Sequence, residues 1–314
     1  VARGHDVTAF VRERSGVGGR QAAADVVRDL AGAHVRVGEV TNAASIAREG
    51  FRGESFDAVI SCVASRTGAA ADATRVDYDA NCALLAEAKA AGVRQFVLVS
   101  AICVQKPRLA FQHAKLAFER VLRESELTHS IVRPTAFFKS LSGQVERVKA
   151  GKPFLVFGDG EATACKPISE RDLARFVAEC LVDPRKKNAI LPVGGPGPAL
   201  TPKAQGALLF EVLGRPSRYR SVPVALLDAV AFVLNAAGRL VPAAREKAEF
   251  ARIGRYYATE SMLVWDEARG CYDADGTPSY GTDTLRDAYA RMVEHGVRGQ
   301  ELGDHAVFSR TPAA

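Results

Sequence analysis

The chain has 314 residues, 47% of them hydrophobic and 25% charged, and a formal net charge of +6. That length holds one domain of ordinary size and a smaller second region, and the ordinary composition excludes a disordered, collagen-like or disulfide-scaffold chain. The basic residues are scattered, which argues against a nucleic-acid footprint and suits an anionic small ligand.

Val1–Asp6 (VARGHD) reads as the end of a helix and a turn into a strand. A Rossmann sheet starts one strand, one Gly-rich phosphate loop and one helix earlier, so roughly 20–25 residues of that kind are expected ahead of Val1. Strand patterns follow at 7–12, 34–40, 56–64, 95–101 and 130–133, as nearly continuous apolar runs. Such runs fit strands buried on both faces of a parallel sheet. The cluster Gly16–Gly19 follows a strand but opens no helix, so it is expected to be a loop rather than the phosphate loop.

Helix patterns lie between the strands. Val76, Ala80, Ala83, Leu84, Ala88 and Ala91 share one face, and Gly92 sits where that helix should stop. Residues 109–124 carry a similar stripe of Ala114, Ala117, Phe118, Val121 and Leu122. The alternation implies an α/β fold with a Rossmann-type, doubly wound parallel sheet. Beyond 140 it loosens. Residues 153–157 read as a strand with Gly158–Gly160 as its hairpin turn, and 169–182 as a helix opened by Ser169 and Asp172 at capping-box spacing. Thr201-Pro202 opens another helix. The apolar run 222–241 contains Asp228, Asn235 and Arg239, which suits a buried or surface-docked helix better than a membrane span. Residues 243–314 carry weak signals. The expected division is an NADP-binding domain over 1–140 and a mixed substrate-binding region with the remaining sheet elements over 141–314.

The cysteines at 62, 82, 103, 165, 180 and 271 form no CxxC pair, so no metal site is expected. Cys62 and Cys180 stand in apolar runs and are expected to be buried fillers. Nothing indicates disulfides, and the expected compartment is the cytoplasm.

Arg12 and Arg14 follow the first visible strand, where a Rossmann fold meets the adenosine ribose. Arginine there suits the 2′-phosphate of NADPH, while a solvated charge cluster is the plainer alternative. Ser61, Cys62, Val63 and Ala64 end the third visible strand as small residues that let a nucleotide approach the backbone, and Ser100 ends the fourth. Many short-chain dehydrogenases carry Tyr-x-x-x-Lys on the helix that follows. Here the lysine place is Lys115 and the tyrosine place is Phe111. Phenylalanine has no proton to give, which argues against alcohol–ketone chemistry and toward hydride transfer to a carbon–carbon double bond. Gln112 and His113 are weaker catalytic candidates on the same helix.

The stretches Val104–Pro107, Phe111–Lys115, Val132–Ser140 and Ala164–Glu170 resemble the divinyl chlorophyllide 8-vinyl-reductases, which are NmrA-like, atypical short-chain dehydrogenases. The resemblance runs from Val7 to about Gly296. It implies reduction by NADPH of the 8-vinyl group of a divinyl tetrapyrrole to ethyl, in chlorophyll or bacteriochlorophyll synthesis. Lys115 would then hold the nicotinamide ribose, with Pro134 and Thr135 also at the cofactor. Phe111, Phe137, Phe138, Lys139 and Lys166 would face the tetrapyrrole. His113, Lys139, Lys166 and water remain open as proton source. Peripheral association with the photosynthetic membrane is an alternative to a purely cytoplasmic enzyme. A quinone- or isoflavone-reductase-like enzyme, an NADP-binding redox sensor and a structural respiratory subunit stay as competing readings.

Overall fold

The computed structural model describes residues 1–15, 21–237 and 242–297. The Gly16–Gly19 cluster, the end of the 222–241 run and the tail after Asp304 lie outside those residues.

Four parallel strands form the central sheet in the order β3 (Ala58–Ser61), β4 (Gln95–Val99), β5 (Thr128–Pro134) and β7 (Ala189–Val193). Strands β1 (Thr8–Val11) and β2 (His34–Val37) pair in parallel as a separate two-stranded sheet. The period-two alternation of β4 explains the layering. Phe96 and Leu98 face a core with Phe118, Leu122 and Leu85, whereas Val97 faces one with Ile168, Phe176 and Val177. Helices therefore cover both faces of the sheet, as its apolar strands require.

Helix α1 spans Ala23–Asp29. Helix α2 runs over Ala70–Ala73, passes through a π-helical stretch at Thr74–Asp79 and continues over Ala80–Ala90. Its buried residues are Ala73, Asp77, Ala80, Asn81, Leu85 and Ala88. The wide turn shifts the inward face by about one residue from the regular stripe the sequence suggests. Gly92 follows with φ +71°, the left-handed conformation that closes such a helix. Helix α3 (Ala110–Glu124) buries Gln112, Lys115, Phe118, Glu119 and Leu122. Helix α4 (Glu170–Glu179) is capped by Ser169, whose side chain accepts from the Asp172 amide.

The C-terminal half has its own core, with Phe138, Val145, Phe154, Leu209, Tyr289 and Met292. Strand β6 (Phe154–Phe157) pairs in parallel with β8 (Tyr219–Val222), so Gly158–Gly160 is a turn but not that of a hairpin. Helix α5 spans Pro202–Val212, with Thr201 as its cap. Helix α6 (Ala225–Ala237) is surface-docked on α7 (Pro242–Thr259). The antiparallel pair β9 (Val264–Asp266) and β10 (Cys271–Asp273) and helix α8 (Leu285–His295) complete the described chain.

Gly195 fixes how β7 leaves the sheet. Its amide donates to the Lys166 carbonyl at 3.0 Å, and a Cβ built there would stand 1.8 Å from the Pro167 carbonyl oxygen. Two backbones meet at this point, so no side chain can yield. Gly195→Ala should lower unfolding free energy by about 1–3 kcal/mol or more, read from urea melts. An unchanged midpoint would show that this contact does not set the packing.

Candidate active site at the strand ends

The carboxyl ends of β3, β4 and β5 lie beside α2 and α3, which pack together on one face of the sheet, and ligands of such sheets lie at these strand ends. Ser61 is buried, and its hydroxyl donates to Asn81 Oδ1 at 2.5 Å. Beyond it Cys62 and Ala64 are exposed and Val63 is half-buried, so the strand runs out as a shelf of small residues. Cys180 is fully buried, but Cys62 is not the expected filler, because β3 ends at Ser61 and the chain turns out of the core. Ser100 donates to Glu119 Oε1 at 2.5 Å, and Glu119 is ion-paired with Arg133 of β5. That places Ser100 in a strand-to-helix tie. Pro134 is buried at the end of β5, and the Thr135 hydroxyl donates to the Lys166 carbonyl.

Helix α3 brings the chemistry into the cleft. Its start is capped by Gln112 Oε1, which accepts from the Arg108 and Leu109 amides at 2.7 and 3.0 Å. One turn on, Lys115 is buried with its ammonium 2.8 Å from Asp77 Oδ1. Asp77 comes from the π-helical stretch of α2, and the same oxygen accepts from the Ser65 amide at 3.3 Å. Its other oxygen, Oδ2, is buried without a partner. Phe111 packs against Ile102, Cys103, Leu109 and Tyr256. His113 is exposed, because its position on α3 falls between the buried Gln112 and Lys115 and points outward. The structure therefore does not bring His113 into the cleft as a catalytic group.

Helix α7 lies over this helix start. Gly68 has φ +69°, and a Cβ there would stand 2.8 Å from Ile253 Cδ1 and 3.5 Å from the Phe111 ring. The Tyr256 hydroxyl donates to the Cys103 carbonyl at 2.9 Å. The Cys103 thiol, pushed up by burial, faces Gln112, Tyr257 and Lys115. Nearby, Glu260 gathers Lys106 and Arg108 at 2.9 Å each and the Tyr272 hydroxyl at 2.6 Å. Burial pushes its carboxyl up, but the Lys106 and Tyr272 hydrogen bonds and the Arg108 charge outweigh that and hold it below the usual range. A hollow of about 150 Å³ opens beside this cluster, lined by Arg108, Leu109, Arg252, Arg255 and Tyr256.

Other expected site residues lie elsewhere. Lys166 is buried, and its ammonium donates to the Thr277 carbonyl at 2.9 Å and the Ser279 hydroxyl at 3.2 Å, which makes it a pin between segments rather than an open cation. Phe138 is 3% exposed inside the C-terminal core, so it cannot line a ligand pocket. Phe137 bridges to Ile168 and Lys139 is half-buried in the following 3₁₀ stretch. Arg12 and Arg14 are exposed just past β1. The sequence reading missed Asp77 and the Arg108–Glu260 cluster, and it took Gln112 as a weaker catalytic candidate where the structure makes it the cap of α3. Asp77 could have been flagged as a polar residue on an otherwise apolar helix face.

Residues 1–184 match the NAD(P)H-binding family. A protein of Oryza sativa subsp. indica named divinyl chlorophyllide a 8-vinyl-reductase, chloroplastic, is 50% identical over 311 residues, covering 98% of this chain and 77% of that protein. A protein of the same name from Arabidopsis thaliana is 49% identical, covering 97% and 75%. Among solved structures, an NADPH-dependent quinone oxidoreductase from Escherichia coli complexed with NADPH superposes with a TM-score of 0.61 at 17% identity, covering 91% of this chain and 89% of that one. A UDP-glucuronic acid 4-epimerase from Bacillus cereus in complex with NAD gives a TM-score of 0.65 at 10% identity, covering 95% and 92%. These two likenesses show the fold alone.

The Ser100–Glu119–Arg133 tie should be visible in stability. Arg133→Met leaves the buried Glu119 carboxylate without its countercharge, which costs roughly 3–5 kcal/mol when a buried pair loses one member. Chemical denaturation measures this. A loss below about 1 kcal/mol would mean that water reaches the pair.

Proposed function

Because the chain belongs to the divinyl chlorophyllide a 8-vinyl-reductase family, we propose that it reduces the 8-vinyl group of a divinyl chlorophyllide to ethyl with NADPH. It is an oxidoreductase acting on a carbon–carbon double bond. The observation that carries the chemistry is the pair of places on α3, with Phe111 where a phenol would serve as acid and Lys115 buried in the cleft one turn on.

The residues present fit a nicotinamide cofactor. The Ser61–Ala64 shelf leaves room for backbone approach, and the Lys115–Asp77 pair keeps one buried carboxylate oxygen without a partner. When bound, NADPH supplies the hydride. Arg12 and Arg14 would hold its 2′-phosphate, and Lys115 would orient the nicotinamide ribose. The exposed Arg108 and Arg252 and the half-buried Arg255 at the hollow, each ion-paired on one side, offer cations to a substrate propionate, a role Lys166 is too enclosed to fill. Negative charge arising at the vinyl group spreads into the conjugated macrocycle, which supports protonation without a phenol at position 111.

No helix among the described residues is long and apolar enough to cross a membrane. A peripheral placement is supported by α6, where Phe232 and Val233 are 75% and 62% exposed beside Leu226 and Val230, in a chain of net positive charge.

NADPH should bind more tightly than NADH. A charge-assisted phosphate contact contributes roughly 1.5–3 kcal/mol, about tenfold or more in affinity. Arg12→Ala with Arg14→Ala should abolish the preference in a binding titration. Persistent discrimination would put the phosphate pocket elsewhere.

The activity itself is read from chlorophyllide absorption bands after mixing the chain, NADPH and divinyl chlorophyllide. Lys115→Ala should lower the single-turnover rate roughly 10²-fold. Phe111→Tyr should bring no gain, since its hydroxyl would enter an apolar seat. Vinyl reduction absent in a parent chain that binds NADPH would favour a redox sensor, and an accelerated Phe111→Tyr variant would restore tyrosine acid catalysis.

A further inference from the structure

We infer that Asp77 is a cofactor-binding residue, and that its carboxylate with the Lys115 ammonium forms a donor–acceptor pair for the vicinal hydroxyls of the nicotinamide ribose. The described chain has five buried carboxylates, Asp77, Glu119, Asp172, Glu260 and Asp283. Four of them use both oxygens. Glu119 binds Ser100 and Arg133; Asp172 binds Arg175 through one oxygen and the Thr282 and Asp283 amides through the other. Glu260 divides its oxygens between Arg108 and the Lys106–Tyr272 pair, and Asp283 between Arg171 and Ser169. Asp77 alone spends one oxygen on Lys115 and the Ser65 amide and leaves Oδ2 buried and unpaired.

A carboxylate kept only to anchor a lysine would be expected to satisfy itself as the others do, because an orphaned buried acceptor is costly. Its position gives a reason for the exception. Ser65 lies just past β3, Asp77 in the π-helical stretch of α2 and Lys115 on α3, so the buried pair stands at the strand ends, the side of such a sheet on which a dinucleotide lies. The chemistry narrows the ligand. An anion would be repelled by Asp77 and a cation by Lys115. A hydroxyl suits both, since it donates to Oδ2 and accepts from Nζ. Two vicinal hydroxyls match a lysine nitrogen and a carboxylate held 2.8 Å apart. An O–H to a carboxylate is a charge-assisted bond of the stronger kind.

The proposal rests on NADPH occupying this crevice, and the test separates the two ideas. Affinities of the full chain are measured by calorimetry for NADPH, for a dideoxy analogue lacking both nicotinamide-ribose hydroxyls, and for 2′,5′-ADP, which has no nicotinamide half. The parent chain should bind the analogue roughly tenfold or more weakly than NADPH. Asp77→Asn should shrink that gap to about twofold while leaving 2′,5′-ADP affinity unchanged, since an amide cannot supply the charge assistance. Equal binding of NADPH and the analogue by the parent chain overturns the proposal, and this arm needs no variant to fold. Asp77→Asn weakening 2′,5′-ADP as much as NADPH overturns it too, by showing a merely structural role. A parent chain that binds neither nucleotide removes the cofactor reading along with it.

Discussion

Two opposite charges without surrounding water must be held in place by the backbone on both sides, and the Lys115–Asp77 pair shows what that demands. Lys115 reaches the cleft because α3 presents Gln112, Lys115, Phe118 and Glu119 on one buried face. Asp77 reaches it because the wide π-helical turn shifts the inward face of α2 by about one residue. The pair gains little net stability, since desolvation offsets most of its attraction. Its yield is position. The crevice acquires a donor and an acceptor whose separation is set before any ligand arrives.

The remaining buried charges do different work. Glu119–Arg133 ties α3 to β5, Asp172 and Asp283 tie α4 to the turn before α8, and Glu260 draws Lys106 and Arg108 toward the end of α7. Each is saturated by the protein, and each joins segments far apart in sequence. Among the described residues, full saturation thus marks the carboxylates that hold the frame, and incomplete saturation marks the one at the strand ends.

The sheet was legible because its strands are apolar runs that only a two-sided core can accept, and the caps at Ser169 and Thr201 stood out for the same local reasons that make them caps. Lys115 could be placed because its spacing from Phe111 is a helical turn. Other features depend on contacts that no local pattern carries. Phe138 and Lys166 look like site residues in sequence, yet one fills the C-terminal core and the other pins Thr277 and Ser279, more than a hundred residues away. The β6–β8 pairing is non-local too, so the glycines after β6 suggested a hairpin that does not form. Helix α7 was missed because its apolar contacts, Ala248, Ala251 and Tyr256, are spread among many charged residues.

Phe111 shows that the loss of a proton donor and the seating of α7 are one feature. Its ring lies against Gly68 and among Cys103, Leu109, Tyr256 and Ile253. A phenol in that seat would need a hydrogen-bond partner, and the hydroxyl of the neighbouring Tyr256 is already committed to the Cys103 and Lys106 carbonyls. An unpaired hydroxyl would weaken the contact that holds α7 over the helix start. An enzyme reducing ketones could not accept that exchange, because its alkoxide needs an acid at this place. A substrate whose developing charge disperses into a conjugated ring makes a weaker demand on the protein. The position that carries acid catalysis elsewhere on this fold is thereby free to serve packing, and here it seats α7 over the start of α3.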